Sequence, residues 1–224
     1  MQKVFVFGDS HAVALAEGAE ALGLTTGMAF LSGNLWHLGV VRFNRNRGLV
    51  ARGGAGFNER LITASETLGT PNVLEGDHLV IGSFGYQLGR LVSPLLRDGH
   101  KIAGEDVPTE QGQFVSTGFL EALVDAHRAT QFRLMRQIAR RRPLVVVSPP
   151  PIGDRPEYAR VRDIIGDRIQ STGAHSLDSR SLLLPGAGTL PESERHEDGR
   201  HATGAFGERA IKAAIEMASA EKVA

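Results

Sequence analysis

The chain has 224 residues, 42% of them hydrophobic and 22% charged, with 25 Lys+Arg against 25 Asp+Glu and no cysteine. That length suits one well-buried α/β domain covering residues 1–224 and is short for two. Zero formal net charge removes the electrostatic case for nucleic acid as ligand, and the missing cysteines exclude disulfides, thiolate catalysis and cysteine-based zinc sites.

In chain order, Val4–Phe7 is a short apolar run that reads as a buried strand. It is too short for the core of a signal peptide, and no stretch reaches the ~20 apolar residues of a membrane span. The expectation is a cytoplasmic protein with no membrane partner. Gly8-Asp9-Ser10-His11 follows the strand, and a helix is predicted over Ala12–Leu22. That junction has two readings. Either Gly8 turns the chain and Asp9 or Ser10 caps the helix, or Ser10 is a nucleophile held at a helix N-terminus. His11 is expected to point away from the nucleophile.

Thr25–Arg47 and Gly85–Ser116 are rich in Gly, Asn and Arg and show no clean period, so they read as excursions over the strand ends. Trp36, the only tryptophan, stands in the first of them, where packing and substrate lining are both open. Gly48–Ala51 is the second strand candidate, ending at the loop ARGGAGFN, and Glu59–Leu68 is a helix. His78–Ser83 is a strand followed by FGYQLG. A long helix over Thr117–Arg141 closes in the basic run Arg140–Arg142, which suits a solvated helix C-terminus. Leu144–Ser148 is a strand stopped by Pro149–Pro151; Tyr158–Gln170 is a helix, Ala174–Asp178 a strand and Gly204–Ala218 the last helix. Short apolar strands alternating with helices imply a mostly parallel sheet wrapped on both faces, with ligands at the strands' C-terminal ends.

The segment HEDGRHATGAFGERA, His196–Ala210, holds Asp198 and His201 three apart, directly before the last helix. A carboxylate accepting from imidazole Nδ1–H fixes the tautomer and leaves Nε2 as a general base. With Ser10 these would complete a triad. Two other readings stay open: a metal site drawn from Glu194, His196, Glu197, Asp198 and His201, and a solvated acidic loop. An acyl-transfer site also needs oxyanion donors. Candidates are the Ser10 N–H, a glycine among Gly53, Gly54 and Gly56, and the Gln87 amide after the third strand.

Taken together, GDS after strand one, a glycine after strand two, a side-chain amide after strand three and D-x-x-H near the last helix resemble the SGNH (GDSL-type) hydrolase family. FGDSHA with DGRHATGAFG is also similar to SGNH domains of polysaccharide O-acyltransferases. The resemblance implies a flavodoxin-like three-layer α/β sandwich and a serine esterase. It makes Ser10 the nucleophile, His201 the base and Asp198 the acid, with Gly56 as the oxyanion glycine and Gly53 as the fallback. Gln87 stands where the family places Asn. No cofactor or metal is implied. The expected substrate is a small acyl ester, acetyl on a carbohydrate, with acyl transfer to a sugar hydroxyl and glycan binding without catalysis as the alternatives.

Overall fold

The structure, a computed structural model, describes residues 2–102, 113–153, 156–183, 185 and 187–220. The first elements are β1 (Lys3–Gly8), α1 (His11–Ala21), β2 (Thr25–Phe30), α2 (Gly33–His37), the hairpin β3 (Val41–Asn44) and β4 (Gly48–Ala51), and α3 (Ala55–Leu68). Then come β5 (Leu79–Ser83), α4 (Leu88–Arg97), the short pair β6 (His100–Lys101) and β7 (Gln113–Phe114), and α5 (Thr117–Ala139). The chain continues with β8 (Leu144–Val147), α6 (Pro156–Gln170), β9 (His175–Leu177) and α7 (Gly204–Ala220).

Five strands form one all-parallel sheet in the order β2-β1-β5-β8-β9. Alternation along β1 sorts its side chains between two cores. Val4 and Val6 face the small residues of α1 and the apolar face of α7. Phe5 and Phe7 face the other way, into the core built by α3, α4, α5 and α6. Helices therefore cover both faces, as the parallel strands require. The sheet strands in chain order run 2-1-3-4-5 across the sheet, so the direction of winding reverses between β1 and β5. Such a reversal opens a crevice beyond the strand ends.

One expectation fails here. Gly48–Ala51 is a strand, but it pairs antiparallel with Val41–Asn44 and lies outside the main sheet. The sheet's second strand is Thr25–Phe30, inside the segment read as an excursion. This edge strand carries no continuous apolar run because α3 lies almost against its backbone. A Cβ on Gly27 would stand 3.0 Å from the Ala64 carbonyl oxygen.

Helices α1 and α7 also approach at glycines. A Cβ on Gly18 would overlap the Gly207 backbone, and one on Gly207 would overlap the Ala14 carbonyl. Both helix N-termini are set by this contact, and both begin beside the site described below. Among the described residues, no helix is long and apolar enough to cross a membrane.

The basic run after α5 is used locally. Arg141 lies over the Phe43 ring at 4.5 Å, and Arg142 donates to the His78 carbonyl at 3.0 Å. His78 is 2% exposed, with Nε2–H donating to the Val73 carbonyl at 2.8 Å. Burial, helped by nearby Arg142 and Lys3, pushes its pKa below the ordinary 6.5. The folded protein thus holds His78 neutral where the unfolded chain takes up a proton. Stability is expected to fall as pH drops below about 6.5, by up to about 1.4 kcal/mol per pH unit, until the folded-state pKa is passed. Burial lowers His11 and His37 in the same direction. Denaturant unfolding across that range checks this, and a profile flat from about pH 7 to about pH 5 would contradict it.

Candidate active site

At the C-terminal end of β1, Gly8 has no room for a side chain: a Cβ there would overlap the Ser83 carbonyl at the end of β5. Its own carbonyl accepts from Leu31 N–H at 2.9 Å and from Trp36 Nε1–H at 2.5 Å. Trp36 is 1% exposed and packs against Phe7, Phe57 and Phe84, so of its two readings packing is the one realised.

Asp9, 7% exposed, ties the ends of β1 and β5 together. Its Oδ1 accepts from Ser83 Oγ–H at 2.9 Å and from His11 N–H at 3.1 Å, and its Oδ2 from Gln87 Nε2–H at 2.9 Å. Asp9 thus satisfies the first free N–H of α1, the work of a helix cap. Ser10 makes no side-chain cap of its own. That leaves its hydroxyl available, and Ser10 is exposed.

The Ser10 hydroxyl lies 2.6 Å from His201 Nε2. His201 Nδ1 lies 2.5 Å from Asp198 Oδ2, so the proton belongs on Nδ1 and the lone pair of Nε2 faces Ser10. Asp198 Oδ1 accepts from the backbone N–H groups of Arg200 (2.8 Å) and His201 (3.0 Å), closing a tight turn that brings carboxylate and imidazole together. The His201 hydrogen bond first, and the Arg200 N–H next, hold the Asp198 carboxyl well below the usual carboxylate range. It is an acceptor at any working pH. The turn itself is anchored: His196 N–H donates to the His201 carbonyl at 2.8 Å, Thr203 N–H to Glu194 at 2.9 Å, and Glu194 pairs with Arg209 of α7.

His11 does not point away. Its ring centroid is 5.1 Å from that of His201. Burial pushes its pKa down, which favours its uncharged form beside His201. A second cation there would oppose formation of the His201 imidazolium.

Gly56 is not brought to this site. It is the second residue of α3, with Arg60 as its neighbour, and neither it nor Gly53 lines the cavity at Ser10. The correction follows from the strand reassignment. The glycine after the sheet's true second strand is Gly33, in LSGN, and it does line that cavity together with Asn34. A Cβ on it would lie 3.8 Å from Gln87 and 3.9 Å from Asp9. The N–H groups of Ser10 and Gly33 have no acceptor among the described residues.

Gln87 lines the same cavity, although one N–H of its amide is already given to Asp9. It is the one non-glycine residue with positive φ among those described, at φ 31 and ψ 52. Buried Arg128 holds it there, donating to the carbonyls of Tyr86 (3.0 Å) and Gln87 (3.2 Å). Nothing local in the sequence marks Arg128, which reaches these carbonyls from the middle of α5. The Glu194 and His196 side chains face Arg209 and Asp198, and no metal-binding cluster occurs among the described residues.

The cavity beside Ser10 is open, with a volume of about 660 Å³. Its walls come from the ends of β1, β2 and β5, from Pro149-Pro150 after β8 and from the 199–200 turn.

No family model matches the chain, and no curated protein matches it. Among solved structures it is similar to a carbohydrate esterase, at 10% identity over 96% of this chain and 67% of that one, with a TM-score of 0.45. It is also similar to the periplasmic domain of a lipopolysaccharide acetyltransferase from Salmonella ser. Paratyphi A, at 12% identity over 94% and 81%, with a TM-score of 0.46.

Proposed function

We propose that the chain is a serine esterase of the SGNH (GDSL) type that removes a small acyl group, acetyl in the first instance, from a carbohydrate alcohol. The observation that carries this is the unbroken hydrogen-bonded run from Ser10 Oγ through His201 to Asp198 at the wall of an open cavity. In this reading Ser10 Oγ attacks the ester carbonyl while its proton passes to His201 Nε2. The carbonyl oxygen becomes an oxyanion received by the N–H groups of Ser10 and Gly33, with Gln87 lining the same cavity. The imidazolium, paired with Asp198, then protonates the departing alcohol oxygen and leaves an acyl group on Ser10. Water attacks that acyl group and gives its proton to His201; collapse returns the proton to Ser10 Oγ and frees the acid.

A sugar hydroxyl can replace water in the second half, and the exposed setting of Ser10 leaves room for one. Incubation with an acetyl ester and a sugar acceptor separates the two: free acetate marks hydrolysis, acetylated acceptor marks transfer. Neither product, together with no labelling by a fluorophosphonate, would leave a binding module.

Gly33 offers a direct test of the oxyanion assignment. It is the first residue of α2, and its predecessor Ser32 has φ −58 and ψ 142. Proline is well accepted at that helix position and after that backbone conformation, yet it has no N–H. Gly33→Pro is therefore expected to fold and to lower kcat by about 10² to 10³, with KM little changed. Gly33→Ala keeps the donor and meets only ordinary contacts, so it should retain most of the rate. Equal activity in the two variants would remove Gly33 from the site.

A further inference from the structure

The chain as a whole carries no formal net charge, but the described lining of its cavity is basic. Among the described residues, Arg90, Arg162 and Arg200 line it against a single carboxylate, Asp9. Both Asp9 oxygens already accept hydrogen bonds from Ser83, His11 and Gln87. Arg162 is 4% exposed and its charge is shared with Asp178, whose carboxyl it helps hold down. Arg90 and Arg200 differ from it. Both are exposed, and neither guanidinium has a hydrogen-bond or ion-pair partner among the described residues.

A second feature adds to the same sign. The N-terminus of α4 opens on the cavity, with Leu88 and Gly89 in its lining. The side chain before it, Gln87, gives it no cap, and the N–H groups of Leu88 and Gly89 have no described backbone acceptor. Free N–H groups at a helix N-terminus and planar guanidinium forks both suit carboxylate or phosphate oxygens. The lining also holds Leu88, Pro149, Pro150, Ile152 and the ring of Tyr158, an apolar wall for the uncharged part of an ester.

We infer that the site takes esters whose alcohol part carries an anionic group, a carboxylate or a phosphate, gripped by Arg90 and Arg200 while Ser10 meets the acyl carbonyl. The inference rests on the esterase reading, since it names the alcohol part of that ester.

The experiment compares three matched acetyl esters: a neutral methyl hexoside, the corresponding hexuronate and the corresponding hexose phosphate. Wild-type kcat/KM is expected to favour at least one anionic ester over the neutral one by on the order of tenfold to a hundredfold. The hexuronate and phosphate arms tell which anion is recognised. In the double variant Arg90→Gln, Arg200→Gln that ratio should collapse toward unity. A wild-type ratio of one or less, or a preference that survives both substitutions, overturns the inference while leaving the esterase intact. If none of the three esters is turned over and Ser10 resists a fluorophosphonate, the esterase reading is what fails. Titration of wild type and double variant with the unacetylated hexuronate and hexose phosphate, followed by NMR, then decides the anion site separately. Binding that the double substitution weakens upholds it, and absence of binding in the wild type rejects it.

Discussion

Ser10→Ala is expected to lower kcat for an acetyl ester by on the order of 10⁶-fold and to abolish labelling by a fluorophosphonate. His201→Ala should cost about as much, and the double variant little more than either, because the attack needs hydroxyl and base together. The 2.6 Å contact between Ser10 Oγ and His201 Nε2 is the reason to expect this non-additivity. Asp198→Asn should cost less, about 10⁴-fold, since it leaves both reacting groups in place and disturbs the tautomer of His201. Stability should hardly change on losing the Ser10 hydroxyl, which is exposed and caps nothing. Losses that multiply across Ser10 and His201 would mean the two do not act as a unit, and wild-type turnover in Ser10→Ala would refute the triad outright.

Gly207→Ala is expected to be nearly as damaging by a different route. Its added methyl would overlap the Ala14 carbonyl, and backbone on both sides leaves no side chain to swing away. The two helices must part, at a cost of about 3 kcal/mol or more. Ser10 directly precedes α1 and His201 stands three residues before α7, so parting the helices also parts the proposed nucleophile from its proposed base. A displacement of about 1 Å at reacting groups costs on the order of 10²-fold in rate. The folded fraction of Gly207→Ala should therefore be slow as well as unstable. Gly118→Ala is the control of opposite sign. It lies in the first turn of α5 with nothing within 4 Å of the added carbon, and should gain about 0.5 kcal/mol from helix propensity. If Gly207→Ala unfolds at the wild-type denaturant concentration, the close contact of α1 and α7 is not what sets the site.

The parts of the molecule legible in the sequence are those written locally. Val4–Phe7 is apolar at every position because it is buried on both sides, and Asp198 and His201 share one turn. The strand Thr25–Phe30 left no such mark. Only Gly27 and Ala29 are fully buried in it, and small residues there make room for α3, so burial does not appear as hydrophobicity. With that strand unread the expected glycine falls on Gly56, whereas the glycine after the sheet's second strand that lines the cavity is Gly33. Gly33 had a readable signal in Ser32-Gly33-Asn34, but only once Thr25–Phe30 is seen as a strand. The engagement of Gln87 with Asp9 joins residues 78 positions apart, and no local pattern encodes it. His11 next to His201 is of the same kind: a helix residue whose neighbour comes from the far side of α7's docking.

The docking of α7 on α1 also places the site in time. Ser10 and His201 are 191 positions apart, so a ribosome makes the one long before the other. At roughly 5–20 residues per second, the proposed nucleophile waits roughly 10–40 s for its partner. Throughout that interval Ser10 is a plain serine, without the imidazole that makes it reactive. Under the proposed mechanism Ser10 gains its base only when α7 seats on α1, so a first turnover would report that these two distant segments have met.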